Sequence, residues 1–254
     1  MLEWLLTSPD SSRPHIISDW ETIHARINYF SWIILAPAAI IVARFFKVMP
    51  WQKWPQELDN QAWWRFHWVG QLLAVLLTGL AVLLLRFADE TYNDDAELHR
   101  VCGYIVLALG CLQIALGVFR GSKGGPTDLQ PDGRLLGHHY CMSFRRRAFE
   151  AIHKSIGYVV IGLAAFTVIQ GFWLANAPRW MWLLSAAWWL AMVGLFVYLQ
   201  KKRKALDTYQ AIWGPGLDHP GNLLPKQGWG THRIDSYGGN ISVGPEAKSD
   251  TKCS

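Results

Sequence analysis

The chain has 254 residues, of which 51% are hydrophobic and only 17% charged, with 15 tryptophans and a mean hydropathy of +0.11. Soluble domains carry about 25% charged residues, so a water-facing surface of this size is short of charge, and intrinsic disorder is excluded. The four cysteines, Cys102, Cys111, Cys141 and Cys253, form no Cys-x-x-Cys pair, which argues against a disulfide framework or a zinc ribbon. A net charge of +5 with a pI near 9.1 fits either nucleic acid or an anionic membrane face, and the distribution of the charge decides between them.

The segment Met1 to Trp20 has no basic leader and is interrupted by Pro9, Asp10, Ser11, Ser12 and Arg13, so it reads as a membrane-surface segment rather than a cleaved signal peptide. Five apolar stretches follow: Ile27 to Phe46, Trp63 to Phe87, Val101 to Phe119, Ala148 to Ala175 and Trp180 to Leu199. Each is long enough to cross a bilayer core as a helix, which takes about 20 residues. None alternates as a barrel strand does. A soluble protein with five buried helices would need amphipathic elements around them, and the sequence has none. After Leu199 come Lys201, Lys202, Arg203 and Lys204, then a tail rich in Gly and Pro. The expected fold is an all-α integral membrane protein with five transmembrane helices, the first four forming a bundle. Residues 1–21 form an interfacial segment, 22–200 the transmembrane domain and 201–254 a cytoplasmic tail.

With five spans, the N-terminus, the loop Ala88 to Leu98 and the turn Asn176 to Arg179 share one side. Of the 24 Lys and Arg residues only five, Arg13, Arg26, Arg86, Arg100 and Arg179, fall there. The positive-inside rule therefore puts the N-terminus outside and the C-terminus in the cytoplasm. The same asymmetry explains the basic pI, and nucleic acid is not an expected partner. Trp20, Trp51, Trp54, Trp63, Trp64, Trp173, Trp180 and Trp182 flank span ends, as an interfacial aromatic belt requires. Membrane lipid is thus the first expected partner.

Of nine histidines, five (His15, His138, His139, His219, His232) lie in loops or tails, and the other four fall one per helix. His24, His67, His99 and His153 stand at or just inside the N-terminal ends of the first four spans. Because successive spans run in opposite directions, His24 and His99 lie near the outer face and His67 and His153 near the inner face. Ionisable groups within a membrane are costly and tend to be functional, although a single histidine at a helix end is also a natural headgroup contact. Two imidazoles at matched depth on different helices supply the two axial nitrogens of a b-type haem held without thioether bonds. Structural zinc wants four ligands with Cys or carboxylate among them, which neither pair has at its depth.

Spacing supports a flat cofactor. After His99 come Gly103, Tyr104 and Gly117; after His153 come Gly157, Tyr158 and Gly171 at the same offsets. A glycine one turn beyond a ligand removes the side chain where a macrocycle would press. Gly70, three residues after His67, is expected to serve the same geometry, while Gly110 and Gly162 read as helix-packing residues. The two matching helices enter from opposite faces, like an inverted repeat. Arg44 and Arg120 are expected near the inner pair and Arg86 near the outer pair, where each guanidinium could meet a haem propionate or snorkel to lipid phosphate. Cys102 and Cys111 read as small packing residues. A proton or metal transporter built on the four histidines is disfavoured by the Gly-phased helices and the lack of an intramembrane carboxylate relay.

The ordered histidines, the segments HRVCGYIVLALGCLQIALG and IHKSIGYVVIGLAAFTVIQG, the run HARINYFSWIILAPAAIIVARFF and the segment RRRAFEAIHK resemble the cytochrome b561 family over about His24 to Leu199. The resemblance implies four helices clasping two non-covalent b haems with bis-histidine ligation, His24 with His99 and His67 with His153. It implies an oxidoreductase that moves electrons across the bilayer. The chain begins at what matches the second span of six-span relatives, so an ascorbate site is not carried over. The compact five-span form is more like bacterial members, which makes the bacterial inner membrane the expected location, or like the membrane portion of larger ferric reductases. The expected donor is cytoplasmic or a quinol. Arg65, Arg145, Arg146, Arg147 and Lys154 surround the inner pair and could dock it, and the acidic loop Asp89 to Glu97 borders the outer pair. A redox protein or dehydrogenase subunit, served by the chain as a haem anchor, and a second copy of the chain are further expected partners. Within the tail, Tyr209 to Gly216 and His219 to Asn222 are specific enough to cover the inner haem face or bind a partner.

Overall fold

A computed structural model describes residues 1–87, 94–120, 128–129, 135–136, 144–216, 222 and 229–234, with backbone alone at 94, 128–129, 135–136 and 144–147. Five helices in it are long and apolar enough to cross a membrane: Asp19–Phe45, Ala62–Phe87, Glu97–Phe119, Ala148–Leu174 and Arg179–Lys201. The protein is an all-α, multi-pass integral membrane protein, apart from an antiparallel pair of two-residue strands, Asp128–Leu129 and Leu135–Leu136.

The first span starts eight residues before the apolar stretch at Ile27, and the reason is local. Ser18 accepts from the Glu21 N–H while the Glu21 carboxylate accepts from the Ser18 N–H, so a capping box starts the helix in polar sequence. His24 thereby falls inside a helix. Further along, Phe30–Leu35 form a π-helical segment in which the Ala36 N–H reaches the carbonyl of Ser31, five residues back. Pro37 follows with no N–H to give. The carbonyl of Ile33, four residues before Pro37, instead accepts the indole N–H of Trp188 from the fifth span at 2.8 Å. At the other end of the bundle, the fourth span's helix begins already at Phe144 and so extends beyond its apolar stretch on the inner side.

Each of the first four spans packs on its chain neighbours, and the first and fourth close the ring. At its centre lie Trp32, Ala36, Ala74, Val75, Val106, Val160 and Ala164. Small and β-branched residues dominate because helices in lipid gain from close approach rather than from expelling water. Gly110 fits this reading: a Cβ there would meet Val75 Cγ2 at 2.9 Å. Gly162 does not, since nothing stands within 4 Å of its Cβ position. Cys102 is buried as expected, whereas Cys111 faces outward.

The fifth span lies outside the ring against the first. Besides Trp188, it is tied there by Tyr29 and Ser185, whose hydroxyls lie 2.9 Å apart, and by a cluster of Ile41, Phe45, Leu199 and Ala205. Of the tryptophans at span ends, Trp63 is buried against the protein (8% exposed), and two further tryptophans, Trp32 (4% exposed) and Trp188, lie within the spans.

The two ends are finished differently. On the outer side the Asn176 side chain, in the turn between spans four and five, donates to the carbonyls of Asp10 and Arg13, and Arg13 donates to the Trp173 carbonyl. These bonds tie Asp10 and Arg13 of the N-terminal segment to the ends of spans four and five. On the inner side, part of the tail is folded. Ala205, Leu206, Tyr209, Ala211 and Ile212 are buried, and a short helix, Thr208–Trp213, is capped by Asp207. Asp207 also pairs with Arg233 at 3.0 Å, both side chains largely buried. His219 to Gly221 lie outside the described residues; Asn222 donates to the carbonyls of Gly214 and Gly216.

Candidate functional site

The bundle brings the four helical histidines together as two pairs. The ring centres of His24 and His99 are 6.2 Å apart, and those of His67 and His153 are 6.3 Å apart. The ring planes cross at 67° and 84°. A metal–imidazole bond is about 2.0 Å long and the nitrogen sits about 1.1 Å from its ring centre. Two imidazoles bound to opposite sides of one metal ion therefore have ring centres about 6.2 Å apart, which is the separation found in both pairs.

Hydrogen bonding fixes which nitrogen is available. His24 Nδ1 lies 3.1 Å from the Ala81 carbonyl, His67 Nδ1 lies 3.3 Å from that of Ala39, and His99 Nδ1 lies 3.0 Å from that of Thr167. A ring nitrogen facing a carbonyl oxygen carries the proton, so the lone pair in these three rings is on Nε2. The Asn28 amide, bonded to the His24 carbonyl at 3.0 Å, stands 3.4 Å from His24 Nε2. His153 stacks on Phe149 at 5.1 Å.

These acceptors recur by position. Ala81 is 14 residues after His67, Thr167 is 14 after His153, and Ala39 is 15 after His24. In each antiparallel hairpin a histidine at one helix's start thus meets a carbonyl near its partner's end. The extra residue in the first span coincides with the π segment, which takes up one residue without breaking the register.

The glycines divide into two kinds. A Cβ on Gly103, Gly117 or Gly157 would meet no atom within 4 Å, so open space lies one turn beyond His99 and His153. Gly70 is different and corrects the expectation for it. A Cβ there would stand 3.1 Å from Ala39 Cβ and 3.6 Å from Leu35 Cδ1, so this glycine lets the first two spans approach closely and presents no open face to a macrocycle. Gly171 seats the opposite pair: its Cβ position is 3.2 Å from His99 Cε1. The donor set and the open faces beside Gly103 and Gly157 fit a planar macrocycle with two axial nitrogens. Among the described residues, no group of three or more His, Cys, Asp and Glu gathers as a cation site.

The arginines also separate. Arg120 lies over the ring of Trp64 at 3.8 Å, and that ring is 6.3 Å from His67, on the side of the His67–His153 pair. Arg86 is exposed at the outer end of the second span. Arg44 is a correction: it does not point freely at the inner pair. Its Nη2 donates to Gln200 Oε1 at 2.9 Å, and its guanidinium lies over the rings of Trp229 (4.6 Å), Phe196 and Phe45. Three aromatic faces and an amide hold the cation at the junction with the tail. Nearby Lys47 is buried and donates to the Leu206 carbonyl at 2.8 Å. Burial first, and then the Lys154 charge, push its amine down to about 8. Lys154 itself pairs with Glu150 at 3.1 Å. The side chains of Arg145, Arg146 and Arg147, and residues 88–93 of the acidic loop, lie outside the described residues.

Sequence reasoning missed Trp188 and the three carbonyl acceptors. Carbonyls carry no side-chain mark, but Pro37 in mid-span was a readable sign that a carbonyl there would need an outside donor.

No family model matches the chain, and no solved structure matches it significantly. Two curated relatives are similar to it. Ferric-chelate reductase 1 of Bos taurus is 30% identical over 146 residues, which are 56% of this chain and 21% of that protein. A cytochrome b561 and DOMON domain-containing protein of Arabidopsis thaliana is 26% identical over 182 residues, 70% of this chain and 33% of that protein. The chain spans only about a fifth to a third of the relatives' lengths, and its likeness to their shared portion points to the cytochrome b561 family.

Proposed function

We propose that this chain is a cytochrome b561-type transmembrane electron carrier that binds two b haems, one between His24 and His99 and one between His67 and His153. The observation that carries the reading is the ring separation of 6.2 and 6.3 Å in two pairs at opposite ends of one bundle. The likeness to the two relatives supports it. Bound there, the haems would supply one-electron carriers near the two membrane faces. The protein's own part is to fix the imidazoles. Carbonyl acceptors at Ala81, Ala39 and Thr167 hold three Nδ1 protons and leave the lone pair on Nε2. Gly103 and Gly157 leave the faces open, while Trp32, Ala74, Val106 and Val160 keep water from the space between the pairs. Arg120 and Arg86 place positive charge at the inner and outer ends, where propionates would be neutralised. Two histidines would hold each haem, which would then supply electron transfer at its edge in preference to oxygen binding.

In this reading the compact five-span form works in a bacterial inner membrane, N-terminus outside. Electrons pass from a cytoplasmic donor, a quinol or a dehydrogenase subunit to an acceptor on the other side. The name of the bovine relative favours one specific acceptor, a ferric chelate. Proteoliposomes made with the purified protein and loaded with ferricyanide test the reading, with impermeant dithionite supplied outside. Entrapped ferricyanide is reduced through the wild-type protein, and His67→Ala and His99→Ala each abolish transfer. Transfer that survives both substitutions would overturn it. Replacing ferricyanide by ferric citrate tests the acceptor class.

A further inference from the structure

The fifth span carries none of the four histidines, yet it reaches into the first span at the one place where that helix departs from α geometry. Trp188 Nε1 donates to the carbonyl of Ile33 at 2.8 Å, and Ile33 is fully buried. In a bilayer core an unpaired carbonyl costs several kcal/mol, and Pro37 cannot supply the donor from within the helix. The π segment closed in this way has a measurable effect on register. It allows Ala39, 15 residues after His24, to stand where the other two acceptors stand at 14, with its carbonyl 3.3 Å from His67 Nδ1. Ala39 also faces Gly70, one turn along from His67, where an added Cβ would stand 3.1 Å from the Ala39 Cβ. The second, third and fourth spans reach their register without such a device.

Resting on the di-haem reading, we propose that Trp188 is a positioning residue for the inner haem. By pinning the Ile33 carbonyl it holds the π segment, the π segment sets the Ala39 carbonyl, and that carbonyl holds the His67 Nδ1–H. A hydrogen bond from Nδ1 makes the imidazole a stronger donor to its metal and favours the oxidised ion. Loss of the Trp188 bond should therefore make the inner haem easier to reduce and leave the outer one unchanged, because His24 and His99 take their acceptors from Ala81 and Thr167, on helices other than the one that carries the π segment.

The test is redox titration of the full-length protein, as wild type and as Trp188→Phe, each also in a His99→Ala background that retains the inner haem alone. Trp188→Phe is expected to raise the midpoint of the inner haem, shifting its reduction equilibrium on the order of threefold, without moving the outer one. Adding Pro37→Ala restores a backbone donor to Ile33 and should return the inner midpoint toward wild type. Should Trp188→Phe lose the inner haem while keeping the outer, repair of the loss by Pro37→Ala supports the proposal equally. An unmoved inner midpoint, equal shifts of both haems, or absence of rescue overturns it while two bound haems leave the di-haem reading standing. A wild-type protein with fewer than two haems overturns both.

Discussion

The outer histidine pair is closed by short surface contacts, whereas the inner pair lies beside a folded cover. Outside, an extended N-terminal segment is tied to the turn at Asn176 by hydrogen bonds to exposed or half-buried backbone. Inside, the tail contributes a buried ion pair and a capped helix, accepts the hydrogen bond of the buried Lys47, and takes up Arg44. The ring separations are nonetheless almost the same. The helical hairpins, which are alike at both ends, therefore set the pairs, and the unlike covers do not.

The largest test of that separation of duties is loss of a ligand. His99→Ala should remove one haem and His67→Ala the other, each leaving its opposite intact, as read by haem stoichiometry and two distinguishable midpoints. If either variant loses both haems, the two sites are not independently built. Next come the open faces. A Cβ at Gly103 or Gly157 meets no neighbouring atom within 4 Å, so Gly103→Leu and Gly157→Leu should each lower haem occupancy at their own end several-fold while expression and helix content stay at wild-type levels. Unchanged occupancy would mean that the space beside these glycines is not where the macrocycle lies.

A smaller effect is expected from the inner cover. Asp207→Asn leaves Arg233 without its buried counter-charge and should destabilise the cover by about 2–3 kcal/mol, a little below the range for fully buried pairs because Arg233 is 17% exposed. Limited proteolysis near residues 205–216 should accelerate in this variant while the outer haem's midpoint stays fixed. The smallest effect is one of pH. Lys47 is pushed from 10.5 to about 8, so between pH 8 and 10.5 the unfolded chain holds the extra proton. The cost of burying Lys47 is full below pH 8 and declines as the pH rises through that window. Protection of the cover against hydrogen exchange, corrected for intrinsic rates, should rise from pH 8 to 10 in the wild type and rise less in Lys47→Met.

Much of this architecture was legible in the amino-acid order because lipid imposes simple rules. Span length, the charge asymmetry and the phasing of His24, His67, His99 and His153 all follow from side-chain types, and the pairing follows from antiparallel topology. Three things were not legible. The start of the first helix at Asp19 depended on a capping box in polar sequence. The duties of Gly70 and Gly171 depended on which helix each glycine faces, which one strand of sequence does not contain. The capture of Arg44 depended on Trp229, 185 residues away in a tail of low hydrophobicity. The capping box is a local Ser-x-x-Glu pattern that lies outside the apolar stretch, whereas in the other two cases the deciding contact lies between segments whose mutual placement is set by tertiary packing.

The central claim is that two matched imidazole pairs hold two haems. Quantifying b haem per chain by the pyridine haemochrome spectrum, in the purified wild type and in His99→Ala, tests it most directly. The account predicts two haems per chain in the wild type and one in the variant. One or none in the wild type, or two retained in His99→Ala, would contradict it.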